Sequence, residues 1–164
     1  ILGKTHLPTE LLCLEITESA IMEDPAQALA SLSRLHDMGI KLSIDDFGTG
    51  YSSLAYLKKL PVRELKIDRS FVMHLDMDTS DEVIVRSTIE LAHNMGLRVV
   101  AEGVENAQIL AHLQALGCDE AQGYFFSRPL PGPDFSKWFE AAREAQLAKN
   151  CAAKTADQGQ AVTA

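Results

Sequence analysis

Three times in this chain a helical hydrophobic pattern stops at a glycine and a short apolar run follows almost at once. Met38-Gly39 leads into Ile40–Ile44, Met95-Gly96 into Leu97–Ala101, and Leu116-Gly117 into Asp119–Tyr124. Glycine tolerates the left-handed conformation that closes a helix. A helix that ends this way and feeds the next strand returns the chain across a sheet, so the strands run parallel. Further strand patterns span Leu11–Ile16 and Val62–Ile67, which makes five βα units in a row.

The helices between them carry their own start signals. Asp24 caps a helix that opens at Pro25 and places Leu29, Leu32, Leu35 and Met38 at helical spacing. A short helix is predicted from Ser52 or Ser53 to Leu60, stopped by Pro61. Thr79 and Glu82 stand at capping-box spacing, and Val83, Ile84, Leu91 and Met95 are read as the apolar face of that helix. Asn106 caps a helix containing Ile109, Leu110, Leu113 and Leu116, and a last helix from near Pro133 is expected to bury Phe135, Trp138 and Phe139. The strands read as continuous apolar runs, which predicts a parallel sheet covered on both faces. An open doubly wound sheet and a barrel both satisfy this pattern.

With 164 residues, 46% of them hydrophobic and 23% charged, the chain suits one soluble globular domain. Residues 1–148 are expected to form it, and the Ala-, Gln-, Thr- and Gly-rich stretch 149–164 to be a disordered tail. No apolar run approaches the roughly 20 residues of a membrane span, so this segment is expected to make no membrane contact. The chain begins at Ile1 rather than Met, which suggests a piece of something longer. A net charge of −8 argues against a nucleic-acid polymer as partner. Cys13, Cys118 and Cys151 form no CxxC pair, which fits a reducing, cytoplasmic setting. The five histidines form no HExxH or HxH pattern, which leaves hard, oxygen-bound metals.

Each strand pattern ends in polar residues: Glu15 to Glu18, Asp45-Asp46, Lys66 to Asp68, Glu102 to Glu105, and Gln122. Strand C-termini of a parallel α/β protein share one face, where barrel enzymes hold their active sites. Carboxylates gathered there repel one another, and a divalent cation removes that conflict. Glu15 and Lys66 lie inside apolar strands, where an unpaired charge is costly. A structural Lys66–carboxylate ion pair is the plain alternative. The glycine-rich loop after Asp46 is not a Walker loop, because GxxxxGK[ST] is absent. Two chemistries suit such a cluster. One is metal-assisted hydrolysis of a phosphodiester, with Lys66 offsetting charge and Glu102 taking a proton. The other is proton abstraction by Lys66 beside a metal-bound carboxylate.

The exact strings narrow this. Glu15-Ile16-Thr17-Glu18-Ser19 comes first, then Asp45-Asp46-Phe47-Gly48-Thr49-Gly50-Tyr51-Ser52-Ser53-Leu54. Leu65-Lys66-Ile67-Asp68, Ala101-Glu102-Gly103-Val104-Glu105 and Gln122-Gly123-Tyr124-Phe125-Phe126-Ser127-Arg128-Pro129 follow in order. Together, from Leu7 to Phe139, they resemble the bacterial EAL-type cyclic di-GMP phosphodiesterase domain, or more narrowly its C-terminal two-thirds. The resemblance implies an incomplete TIM-like (β/α) barrel and hydrolysis of cyclic di-GMP to linear pGpG with Mg2+ or Mn2+, one or two ions. It implies Glu15 and Asp45 as ligands of one metal, Asp45 and Asp46 for the second, and Glu102 close by. Lys66 and Glu102 would handle the attacking water, and Glu18 would anchor the loop 46–54. Asp68, Glu105 and Gln122 would line the substrate pocket, and the parent would form a homodimer through the barrel. The signature Glu-Ala-Leu segment and an Asn metal ligand of the family would lie upstream of Ile1. A degenerate family member acting as a non-catalytic cyclic di-GMP sensor or interaction module is the alternative.

Overall fold

The computed structural model describes residues 7–49, 54–75, 77 and 79–145. The expected tail 149–164, which includes Cys151, and the loop residues 50–53 lie outside them. The chain divides into two compact units, Ile1–Phe126 and Ser127–Ala164.

The first unit begins with a 3-10 turn at Thr9–Leu11, followed by strand β1 (Cys13–Thr17). Helices α1 (Glu18–Glu23) and α2 (Pro25–Asp37) lead to β2 (Lys41–Phe47). Then come α3 (Leu54–Leu57), β3 (Glu64–Ile67), α4 (Arg69–Val72), α5 (Thr79–Asn94), β4 (Arg98–Ala101), α6 (Ala107–Ala115) and β5 (Glu120–Ala121). Two caps sit where the sequence puts them. Asp24 accepts from the Gln27 amide at 3.0 Å and Asn106 from the Ile109 amide at 2.9 Å. Gly39, Gly96 and Gly117 all take positive φ.

The strands pair in the order β1-β2-β3-β4-β5, every pair parallel. A doubly wound sheet reverses its strand order at a switch point. This sheet never reverses, so the open alternative is removed and the winding is that of a barrel wall.

The two sheet faces differ, which corrects the reading of the strands as uniformly apolar. Leu42, Ile44, Leu65, Ile67, Val99 and Ala101 belong to the buried core that packs against the helices. The alternate positions carry Glu15, Ser43, Asp45 and Lys66, which the parallel register sets side by side on the opposite face. Alternation with period two was masked because Ser43 and Lys66 are themselves buried, at 0% and 4% exposure.

Helix α5 matches its expected apolar face only in part: Leu91 and Met95 pack against the core as expected, but the first turn does not. Val85, Ile89 and Ala92 face the core, whereas Val83 is 63% and Ile84 38% exposed. Spacing of four and three residues defines the buried line, and Val83 and Ile84 fall off it. In the second unit, residues 132–145 form helix α7. Phe135 packs on Trp138 and Phe139 at ring distances of 5.9 and 6.0 Å, but all three remain largely exposed rather than buried. No second helix or strand among the described residues of that unit covers them.

Candidate catalytic centre at the strand ends

Lys66 stands on the polar face of β3, between the helix-facing Leu65 and Ile67. Its ammonium lies 2.7 Å from Oε2 of Glu15, 3.4 Å from Oδ1 of Asp45 and 2.5 Å from Oε1 of Glu102. Three strands and the residue after a fourth thus converge on one buried cation. Burial by itself disfavours a charged lysine, but hydrogen bonds to Glu102 and Glu15 and the nearby Glu102 and Asp45 charges outweigh it. Lys66 is therefore held above the ordinary lysine range. A lysine so held is a donor and counter-charge at neutral pH, not a base.

Asp45 contributes the loosest contact. Its Oδ1 is buried and makes no hydrogen bond, so the approach to Lys66 is a charge contact without bond alignment. Asp46 is the one non-glycine residue at positive φ among those described, at 54°. The β2–β3 register shifts between Ile44 and Phe47. In a regular strand, consecutive residues point to opposite faces. The bulge and the left-handed turn re-aim the chain here, so that Asp45, Asp68 and Lys66 all act on Asp46. Partial burial, then the Asp45 and Asp68 charges, raise the Asp46 carboxyl above the usual range.

Asp68 caps α4, accepting from the Ser70 amide at 3.0 Å and from the Ser70 hydroxyl. Burial opposes its ionisation, but these bonds and Arg69 hold its carboxyl below the usual range. Glu18 is 2% exposed at the start of α1, and its Oε2 accepts from the Gly48 amide at 3.0 Å. Glu105 and Gln122 are exposed and neither pairs with Lys66. The Gln122 backbone ties β5 to the loop after β4, donating to the Ala101 carbonyl and accepting from the Val104 amide.

Glu15, Asp45, Asp46 and Glu102 are hard oxygen donors of the kind that Mg2+ or Mn2+ takes, and the buried, unbonded Asp45 oxygen is one that such an ion would satisfy. Among the described residues no three His, Cys, Asp or Glu side chains are already disposed as a metal-ligand set. The point on which the Glu15, Asp45 and Glu102 oxygens converge is held by the Lys66 ammonium.

The family model described as "EAL domain" matches residues 1–129. The chain belongs to the EAL domain family. It is 49% identical over 130 residues to the cyclic di-GMP phosphodiesterase NbdA of Pseudomonas aeruginosa, covering 79% of this chain and 17% of that protein. It is similar, with TM-score 0.80 and 46% identity, to a solved structure described as "PaMucR Phosphodiesterase, c-di-GMP complex". That match covers 82% of this chain and 54% of the other. The Klebsiella pneumoniae BlrP1 manganese/cy-diGMP complex is similar at TM-score 0.73 and 34% identity, over 78% of this chain and 33% of that one. The chain therefore spans only part of each relative, and its sheet is part of a TIM-like barrel.

Several residues that shape this EAL domain site carry no obvious sequence signal. A Cβ on Gly48 would meet the Phe71 ring at 3.1 Å, so the first turn of the glycine-rich loop rests on α4. A Cβ on Gly123 would lie 2.1 Å from the Val104 carbonyl oxygen, so the chain after β5 packs directly on the backbone that follows Glu102. Glycine in GTG and QGY strings reads as loop composition. Only the fold reveals what each approaches.

Proposed function

We propose that the protein carrying this chain hydrolyses cyclic di-GMP to linear pGpG with Mg2+ or Mn2+. The observation that carries this reading is the convergence of Glu15, Asp45 and Glu102 on the buried Lys66 ammonium. An ammonium aimed at the point where these oxygens meet is placed to offset negative charge.

In this reading Glu15, Asp45, Asp46 and Glu102 hold the metal, which when bound supplies activated water and polarises the phosphodiester. Glu102 takes the proton of the attacking water. Lys66 orients that water and offsets charge on the phosphoryl oxygens. The water oxygen bonds to phosphorus, one ester P–O bond breaks, the departing ribose oxygen takes up the proton that Glu102 received, and the ring opens to pGpG. Asp68, Glu105 and Gln122 line the substrate pocket. Glu18 anchors the loop 46–54 through Gly48 and so couples it to the metal-holding Asp46. The parent acts as a homodimer through the barrel. It works in the cytoplasm, which suits the free thiols of Cys13 and Cys118. No described helix is long and apolar enough to cross a membrane.

The test is incubation of the complete protein with cyclic di-GMP and Mn2+, with chromatographic detection of pGpG. Product that disappears with EDTA is expected. Tight cyclic di-GMP binding by folded, Mn2+-loaded protein without product would instead make it a sensor.

A further inference from the structure

We infer that Lys66 competes with the divalent metal for Glu15 and Asp45, standing in for it when the metal is absent. This rests on the metal-dependent reading above.

Three carboxylate oxygens lie within 3.4 Å of one nitrogen, and Lys66 is 4% exposed. An ion bound to the same oxygens would lie about 2.0–2.6 Å from each. It and the ammonium exclude one another from that point by volume and by like charge. The three contacts are unequal. Glu102 is closest at 2.5 Å and Glu15 follows at 2.7 Å. Asp45 is farthest at 3.4 Å, and its buried oxygen has no hydrogen bond. Asp45 is thus the ligand the lysine holds least and the metal gains most from.

Without a resident cation, three carboxylates would face one another across a partly buried site, which costs several times an ordinary surface repulsion. The lysine lets the barrel wall fold before metal arrives, and the same contacts make metal binding weaker than the oxygen set alone would give.

The complete protein, free of nucleotide, is titrated with Mn2+ alone in a calorimeter, alongside its Lys66→Met variant. The variant is expected to bind Mn2+ at least about tenfold more tightly, since no ion pair need be broken. Equal or weaker binding by the variant would overturn the inference while leaving the metal reading intact. Absence of binding heat in both proteins would overturn the metal reading and this inference with it. Because Lys66→Met can fail to fold without metal, the wild-type protein gives a second readout. Acylation of Lys66 by an N-hydroxysuccinimide ester is followed by peptide mass spectrometry in EDTA and in Mg2+. Metal is expected to speed labelling of Lys66 several-fold. An unchanged or slower rate would contradict displacement.

Discussion

The two ends of the sheet handle charge in opposite ways. At the N-terminal end, Arg98 opens β4 and meets Glu120 of β5 at 2.5 Å, with both side chains about half exposed. Beside them His93 meets Asp119 at 2.9 Å, and the same Asp119 oxygen accepts from the Val99 amide at 2.8 Å. These pairs are one to one and solvated. At the C-terminal end a single buried lysine serves three carboxylates, one of their oxygens is buried without a hydrogen bond, and the neighbouring Asp46 sits at positive φ. A fold selected for stability alone would resolve such a conflict. Its persistence at the end of the barrel that carries active sites marks a place where stability yields to chemistry.

The largest expected difference between the ends is thermodynamic. Urea denaturation in EDTA should show Lys66→Met destabilised by about 3 kcal/mol, because it leaves three part-exposed carboxylates facing one another without a counter-charge. Arg98→Met should cost no more than about 1 kcal/mol, as exposed pairs do. Equal losses would break the comparison. Next, Glu18→Ala should cost about 1–3 kcal/mol by leaving the part-buried Gly48 amide without its acceptor. In the proposed reading, cyclic di-GMP turnover should fall with it, and turnover that survives would detach the loop from the site. Asp46→Gly should move stability and activity in opposite directions. Relief of the left-handed conformation should raise stability by about 0.5 kcal/mol, while loss of the carboxylate should abolish turnover.

The smallest effect is a pH dependence at the N-terminal end. Burial raises the Asp119 carboxyl, but bonds from His93 and the Val99 amide more than reverse that and hold it below its ordinary value of 3.8. A depressed folded pKa contributes stability that is fully present above the unfolded value and is lost as pH falls through the folded one. Asp119→Asn should therefore lower the melting temperature at pH 7, and the gap from wild type should close below about pH 3.8. A gap that widens in acid would reverse the sign of the account.

Much of the fold is legible in the sequence because its signals are local. Asp24, Asn106 and the glycines at 39, 96 and 117 act within one turn of where they stand, and strand existence follows from short apolar runs. Helices α1 and α4 are missed because they begin in the polar strand-end residues and are only six and four residues long. Strand β2 runs three residues past Ile44, through both aspartates, because a bulge lets the ladder continue. The site is legible in part for a related reason. Each strand-end acid can be picked out singly, but their meeting on one lysine depends on register, which pairs residues about 30 positions apart. Which acid the lysine holds most closely, and that Asp46 is turned left-handed, depend on distances and dihedral angles that residue types do not encode.

The most direct test of the central claim separates binding from turnover at Glu102. Cyclic di-GMP binding and pGpG formation are measured on the complete, Mn2+-loaded protein and its Glu102→Gln variant. The account predicts that the variant binds cyclic di-GMP within a few-fold of wild type and forms pGpG at least about 100-fold more slowly, the scale expected for loss of a proton acceptor. Turnover in the variant equal to wild type would contradict it.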